Sequence, residues 1–547
     1  MTSRSLGHRA PLLWLVLPLI AGLALGKAAE LSLVVWPLAA ALVFSLIALV
    51  GSRRAPRLWG PSLVAAMVCA GSASHAMSRA RLPAWENLPP REARLSLKVD
   101  RVFATKDSRR TAGLATVVRA DEHLRDLAGQ RIHFSLTLGR GEPPPIRSAV
   151  VTAVGVLVTL PCNPPAVTFD GYLAAAGINF RLTRGRVVGQ ERAAHVYYRF
   201  CAEAAARFKT ILDLGIVEKR PALAALLRGM MLGETHEMSD EQRTLFMQSG
   251  TMHLFAISGL NIGAIAAALY ALLALIRMPR WPRFVVAVAL LWLFVDITGA
   301  SPSAVRAWAM AVFLQAAFVL QRPANVLAGL VASAFAVLLV APLQVFSASF
   351  LMSYTIVLAL LVMGLPLGER WLTRWMLWRD LPQATWTWWQ RWTDPVWRTG
   401  VAAVAIGIAT MLVSLLTGVQ YFRLLTPGAL VANLALIPAA SAVTVGGFAS
   451  LLCGLAGFGA GAVLCNHAAA LVLLGIEWLV RVGVGVPGAF FPARFAAPWV
   501  GHVALAMLVA ALLAGYAAGW RRERGSWWPP FAVVAVALLT GLRLVAG

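Results

Sequence analysis

The residues of this 547-residue chain that could do chemistry are polar and charged side chains set inside apolar runs. The stretch SGTMHLFAISGLNIG, residues 249–263, brings Gly250, Thr251, His253, Ser258, Gly259 and Asn261 to the head of one such run. VDITGASPSAVRAWAM, residues 295–310, carries Asp296 and Arg306 on either side of a Gly-Ala-Ser-Pro connection. SFLMSY (349–354) holds Ser353, and VANLALIPAA (431–440) holds Asn433 and Pro438. A polar group buried in lipid needs a partner, so these side chains should face protein or water, and an arginine within a span counts as functional by default. Their chemistry is hydrogen bonding and charge rather than bond cleavage. The nine histidines form no HExxH or other paired metal spacing, the five cysteines form no CxxC, and no GxxxxGK[ST] phosphate loop occurs. Nothing in the chain therefore reads as a nuclease, an ATPase or a metal or cofactor site, and any work against a gradient falls to a partner or an ion gradient.

Each group has a structural and a functional reading. At helical spacing Thr251, Ser258 and Asn261 fall near one face, while Gly259 and Gly263 form a small-xxx-small pair. That is either packing with hydrogen-bonding glue or the lining of an aqueous path. His253 pairs locally or touches substrate. Two antiparallel helices joined at residues 299–302 would bring Asp296 and Arg306 together as an ion pair; the other reading leaves Arg306 to meet phosphates in a pore. Pro438 removes a backbone hydrogen bond five residues after Asn433, which suits a broken helix beside a cavity. Glu477 and Arg481, at i and i+4, read as a local pair.

The elements that must position these groups follow from composition. The chain is 59% hydrophobic and 13% charged, with mean hydropathy +0.72, far from soluble usage, and reads as a polytopic α-helical membrane protein. About thirteen apolar runs predict 11–13 transmembrane helices, some broken. Three fill residues 1–77, opening with Arg4, His8 and Arg9 and joined by the basic loop GSRRAPR. Residues 78–189 switch to short alternating runs (ARLSLKVDRVFA, AGLATVVRA, QRIHFSLTLG, SAVVTAVGVLVTL), the signature of a small β-barrel of five or so strands. Residues 190–248 show mixed-polarity helical periodicity suited to interfacial helices, with Ser239 as an N-cap. A channel-like domain spans 249–520, and 521–547 give a basic loop, RRERGSWW, and a last helix. Basic connections, among them RMPRWPR and QRPAN, alternate with poorly charged ones, which places the barrel outside.

The net charge of +24, with only five lysines, suits orientation, anionic lipid or an anionic polymer, and also an Arg-rich proteome. Residues 79–220 hold 23 basic and 13 acidic side chains, a net +10. Arg101, Arg109, Arg110, Arg131, Arg181 and Arg184 are the candidate contacts for an external polyanion. Residues 369–398 contain eight of the 20 tryptophans, with Trp371, Trp375 and Trp378 on one helical face: an interfacial belt, or a stacking platform for bases. Cys162 and Cys201 would share an external compartment that permits a disulfide.

The run from LLRGMMLGETHEMSDEQRTLFMQSGTMHLFAISGLNIG through TGASPSAVRAWAM and FSASFLMSYTIVLALL to NLALIPAA resembles, in order, the competence domain of the ComEC DNA-uptake channel family. FDGYLAAAGI is similar to the end of that family's N-terminal domain, and the likeness extends over about residues 10–520. It implies an oligonucleotide-binding-type barrel in the periplasm and a multi-pass bacterial inner-membrane channel for single-stranded DNA in natural transformation. It further implies a ComEA-like periplasmic DNA receptor, a ComFA-like cytoplasmic motor and contact with membrane lipid. The matching positions are Gly250, His253, Ser258, Gly259, Gly299, Arg306, Ala307, Phe350, Ser353, Asn433 and Pro438. Where the family usually has a histidine this chain has Asn261, where it commonly has Gln-Leu-Ser this has Leu351-Met352-Ser353, and where it often has Gly-Asp this has Gly233-Glu234. Many members carry a C-terminal metallo-β-lactamase-like domain; its absence before Gly547 implies a separate nuclease. The competing expectation is a transporter of a small anionic solute or lipid precursor, with the barrel as a docking module.

Overall fold

The structure, a computed structural model, describes residues 10–544 apart from 32, 87, 108, 256, 322–324, 379–380, 383–384 and 521–525. Arg4, His8 and Arg9, much of the QRPAN connection and most of the RRERGSWW loop lie outside the described residues. Three apolar helices come first: α1 (Leu13–Ala28), α2 (Val35–Arg54) and α3 (Pro56–Arg79). Glycine lets α1 and α3 touch backbone to backbone. A Cβ on Gly22 would stand 2.0 Å from the Val68 carbonyl oxygen, and one on Gly71 would stand 2.4 Å from that of Leu19. Ser72 Oγ closes the crossing by donating to the Gly22 carbonyl at 2.9 Å.

The alternating segment folds as a closed five-stranded barrel: β1 (Arg91–Phe103), β2 (Arg110–Ala120), β3 (Arg131–Thr137), β4 (Val150–Thr159) and β5 (Phe180–Arg192), in the order β1-β2-β3-β5-β4. Neighbours are antiparallel except β3 and β5, which run parallel. Period-two alternation turns Leu95, Leu97, Ile132, Phe134 and Leu182 into a core of the barrel's own, all fully buried. A short helix, α4 (Phe169–Ala175), capped by Thr168, precedes β5 and contains most of FDGYLAAAGI.

The remaining chain is helical: α5 (Val196–Asp213), α6 (Pro221–Leu232), α7 (Asp240–Gln248), α8 (Gly259–Leu275), α9 (Arg280–Ile297), α10 (Pro302–Val319), α11 (Val326–Val340), α12 (Ala348–Ala359), α13 (Leu365–Arg374), α14 (Trp388–Thr417), α15 (Ala429–Leu455), α16 (Gly459–Val484), α17 (Pro498–Ala518) and α18 (Trp528–Gly541). Single π-helical turns join α12 to α13 and extend α14. Strands β6 (Leu424–Leu425), β7 (Phe491–Phe495) and β8 (Leu542–Leu544) form a small sheet that the sequence did not announce. Among the described residues eight helical spans are long and apolar enough to cross a membrane, and four shorter apolar helices accompany them. The chain is thus a multi-pass helical membrane protein with a small barrel inserted after its first three helices. The amphipathic reading of 190–248 needs amendment: α6 is buried throughout from Leu223 to Leu232, inside the helical core rather than at an interface. Ser239 caps α7 as the sequence predicts, within a capping box completed by Gln242.

Two apolar cores divide the helical body. One gathers α5 to α9 with α15 and α16; the other gathers α1, α11, α12, α14, α17 and α18. Helix α10 is the seam, since Ala304 and Ala307 pack into the first core and Ala309 into the second.

Candidate functional site

Arg306 occupies that seam. A tight turn ends α9, Ser301 caps α10 by accepting from the Ala304 amide at 3.3 Å, and Pro302 supplies the first helical residue. Four residues after Pro302, Arg306 is 1% exposed and points toward the second core. Its Nη1 donates to Gln344 Oε1 at 3.2 Å, and its Nη2 to the Ser349 carbonyl at 2.9 Å and Ser353 Oγ at 3.2 Å. Nε has no partner, and among the described residues no carboxylate lies within ion-pair distance. Buried positive charge with only neutral acceptors is costly, and it makes the seam attractive to an anion.

The expected Asp296–Arg306 ion pair is not formed. Asp296 instead accepts from Arg147 Nη1, in the β3–β4 connection of the barrel, at 2.9 Å and from the Tyr197 hydroxyl at 2.8 Å. Arg147 also lies 4.6 Å over the Tyr198 ring. Burial, and then the neighbouring carboxylate, push the Tyr197 phenol well above its ordinary value. The antiparallel turn turns Asp296 toward the barrel and Arg306 inward, so this cluster is a tether between barrel and helices. Nothing local in the sequence links Arg147, Tyr197 and Asp296, which are far apart along the chain.

The 249–263 stretch is also redistributed. Gly250, with φ +72°, ends α7 in a left-handed turn that a side chain resists, and a Cβ there would stand 3.3 Å from Thr426 Oγ1. Thr251 is buried but precedes α8, so it does not share a helical face with Ser258 and Asn261. Ser258 is the N-cap of α8 and accepts from the Asn261 amide at 3.4 Å. Asn261, 2% exposed, donates to the Met230 carbonyl at 3.1 Å and accepts from Thr444 Oγ1 at 3.3 Å. It clasps α8 to α6 and α15. Gly259 and Gly263 form no close seat: a Cβ on the first would meet only Ala307 at 3.9 Å, and on the second nothing within 4 Å. His253 is exposed, its Nδ1 3.0 Å from the Gly250 carbonyl.

No helix break occurs at VANLALIPAA. Helix α15 runs unbroken through Pro438, which is exposed. Asn433 Oδ1 is buried without a partner. The tryptophan face is shorter than its spacing suggested. Helix α13 stops at Arg374, Trp371 and Trp375 lie 5.0 Å apart, and Trp378 turns away to pack on Trp386 and Trp389. Cys162 and Cys201 are both free: Cys162 bonds with Arg81 and Glu86, while Cys201 is buried on α5. Glu477 and Arg481 do pair, at 3.2 Å, and Arg481 also reaches Glu241.

The six candidate arginines of the barrel divide into two groups. Arg131 reaches Asp100 (3.6 Å) and the Ala176 carbonyl (3.0 Å), Arg181 pairs with Asp170 at 2.9 Å, and Arg110 faces Asp107 at 3.6 Å. Arg101, Arg109 and Arg184 have no carboxylate partner among the described residues, and Arg101 lies over Phe103 at 5.6 Å. Their exposed positions leave Arg109 and Arg184 available to an anion. One cluster escaped the sequence reading altogether: Arg228 is held by Asp213 and Glu237, and Lys209 bonds Glu237 at 2.5 Å and Glu234 at 3.3 Å, locking α5 to the α6–α7 connection. Among the described residues no group of three His, Cys, Asp or Glu side chains is placed to hold a metal ion.

The family model described as "Competence protein" matches residues 230–520, more than half of the chain. The chain belongs to the competence protein family. It is 29% identical over 143 residues to ComE operon protein 3 of Bacillus subtilis (strain 168), an alignment that takes in 26% of this chain and 18% of that relative. The chain therefore spans less than a fifth of the length of the relative it matches. No solved structure matches. The family region takes in the Arg306 node, the Asn261 clasp and α15; the barrel, α1–α3 and the barrel half of the Asp296 tether lie outside it.

Proposed function

We propose that the chain is an inner-membrane conduit that passes single-stranded DNA to the cytoplasm in natural transformation, with its barrel in the periplasm. The observation that carries this reading is Arg306, a buried cation with no carboxylate partner among the described residues, at the seam of the region that defines a competence family. A strand of phosphates is the anion that competence chemistry supplies, and neutral acceptors around the guanidinium hold it without satisfying its charge. The barrel favours the same reading. A closed order β1-β2-β3-β5-β4 with β3 parallel to β5 is that of an oligonucleotide-binding barrel, and such barrels present one sheet face and adjoining loops to single strands. Arg109, in the β1–β2 connection, and Arg184, on β5, are among the cations it offers. A ComEA-like receptor would deliver the strand and a ComFA-like motor would draw it through.

The transit requires weak, distributed cation contacts, because a tight site would stall a polyanion. The test is natural transformation in a strain carrying Arg306→Met, with membrane abundance measured alongside and Arg306→Lys as the charge-retaining control. The expected result is loss of transformants in the methionine variant at normal abundance, with partial recovery in the lysine variant. Wild-type transformation by Arg306→Met would refute the reading.

A further inference from the structure

A second cationic site lies away from Arg306, where α1 and α3 emerge beneath the barrel. The glycine crossing of these two helices aligns their ends, so that Lys27 of α1 stands beside His75 and Arg79 of α3. Together with Arg81 they line a cavity of about 40 Å³ closed by Leu343 and Phe346. That is room for about three water-sized centres or one tetrahedral oxyanion.

Three of the side chains in this cavity, Lys27, His75 and Arg79, have no carboxylate partner among the described residues. Lys27 has no hydrogen-bond or carboxylate partner among the described residues; its ammonium rests 4.5 Å from the Phe346 ring centroid. Arg79, 6% exposed, donates Nη1 to the Ile178 carbonyl at 2.5 Å and has no carboxylate either. His75 is 8% exposed, and its Nδ1 is buried without a partner. Arg81 is answered by Glu86 at 2.7 Å, and Glu30, the carboxylate that lines the cavity, is engaged by Asn163 at 2.6 Å. Two uncompensated cations and an idle imidazole thus converge on one small volume, a donor set suited to a phosphate-type anion.

The source of that phosphate follows from what surrounds the opening. Leu31 lines the cavity, and the chain continues into Leu33, Val35 and Trp36, which are 63%, 69% and 75% exposed at the start of a lipid-facing helix. An acyl chain would have apolar surface to lie on at the depth where the charged groups end. The geometry points to a binding site for the phosphate of an anionic phospholipid headgroup, held by Lys27, His75 and Arg79 between the N-terminal helices and the barrel. Such a lipid would also fasten the barrel, since Arg79 and Asn179, which donates to the Arg79 carbonyl at 2.8 Å, already join the two.

The experiment uses the purified full-length chain in nonionic detergent. Native mass spectrometry counts bound phosphatidylglycerol and phosphatidylcholine across a titration, in wild type, Lys27→Gln and His75→Phe. Among the described residues neither substitution removes a hydrogen bond, and His75→Phe keeps a ring at the edge-on contact with Phe346; melting temperatures check both variants. The expected result is one saturable phosphatidylglycerol, weakened about tenfold by Lys27→Gln and several-fold by His75→Phe, as for loss of one charge-assisted contact, with phosphatidylcholine unchanged. Equal binding of the two lipids by wild type, or wild-type phosphatidylglycerol binding by a folded Lys27→Gln, would overturn the site. Displacement of the lipid by millimolar inorganic phosphate, or by a short oligodeoxynucleotide at lower concentration than lipid, would overturn its assignment to a headgroup.

Discussion

Asp296→Asn cuts the charge from the tether between barrel and helices while keeping its shape. Two contacts are at stake: Arg147 Nη1 to Asp296 Oδ1 at 2.9 Å and the Tyr197 hydroxyl to Oδ2 at 2.8 Å. The Asp296 side chain is 4% exposed, so its contacts are poorly screened, but Arg147 is 37% exposed and keeps much of its hydration. A charge-assisted bond to a buried acceptor contributes about 1.5–3 kcal/mol; solvent on the arginine side and a surviving neutral bond from Tyr197 bring the expected loss to about 1–2 kcal/mol. The assay is a double-mutant cycle of Asp296→Asn with Arg147→Gln, read by equilibrium denaturation of the full chain in mixed detergent micelles. A coupling of about 1 kcal/mol is expected. Hydrogen exchange in the β3–β4 connection and at the start of α5 should rise in each single variant. The surface pair Lys106–Asp240, also barrel to helix at 2.6 Å but 53% and 86% exposed, is the control and should show no resolvable coupling. Equal coupling in the two cycles would refute the use of burial to rank these tethers.

Three further outcomes follow from the same geometry. His133 in β3 is 4% exposed, and burial, then the Arg181 charge, lower its pKa to about 4. The unfolded chain therefore takes up a proton first, and about 3 kcal/mol of stability present above pH 6.5 is lost as pH falls toward 4; intrinsic-rate-corrected exchange of the β2 and β3 amides should rise over that window and flatten in His133→Phe. Asn261→Leu leaves the Met230 carbonyl and the Thr444 hydroxyl without their partner, a loss of about 1–3 kcal/mol that should appear as reduced thermal stability and membrane abundance. Normal abundance with lost transformation would instead make Asn261 part of the conduit. Pro438→Ala restores a helical donor in an unbroken α15 and should preserve abundance and transformation, whereas loss of transformants would show that the helix opens there in use.

The sequence alone determined most of the elements, the β6–β8 sheet excepted. Hydropathy marked the spans, period-two alternation marked β1 to β4, and Ser239 announced its own cap, because these depend on neighbours along the chain. It also marked Arg306 and Asn261 as costly where they stand, since a polar group in lipid is expensive whatever the fold. Partners were decided only in three dimensions. Spacing left open whether Asp296 meets Arg306; the turn at 299–302 sends one to a barrel arginine 149 residues earlier and the other to Gln344, Ser349 and Ser353. Gly259 and Gly263 had the spacing of a packing seat, yet only Ala307 comes within 4 Å of the first and nothing of the second, while Gly22 and Gly71, 49 positions apart, form a close one. Pro438 could break a helix, yet α15 runs whole through it. Hydrogen bonds and ion pairs act over about 3 Å of space, so the type of a residue fixes what it needs and only the folded chain fixes what it finds.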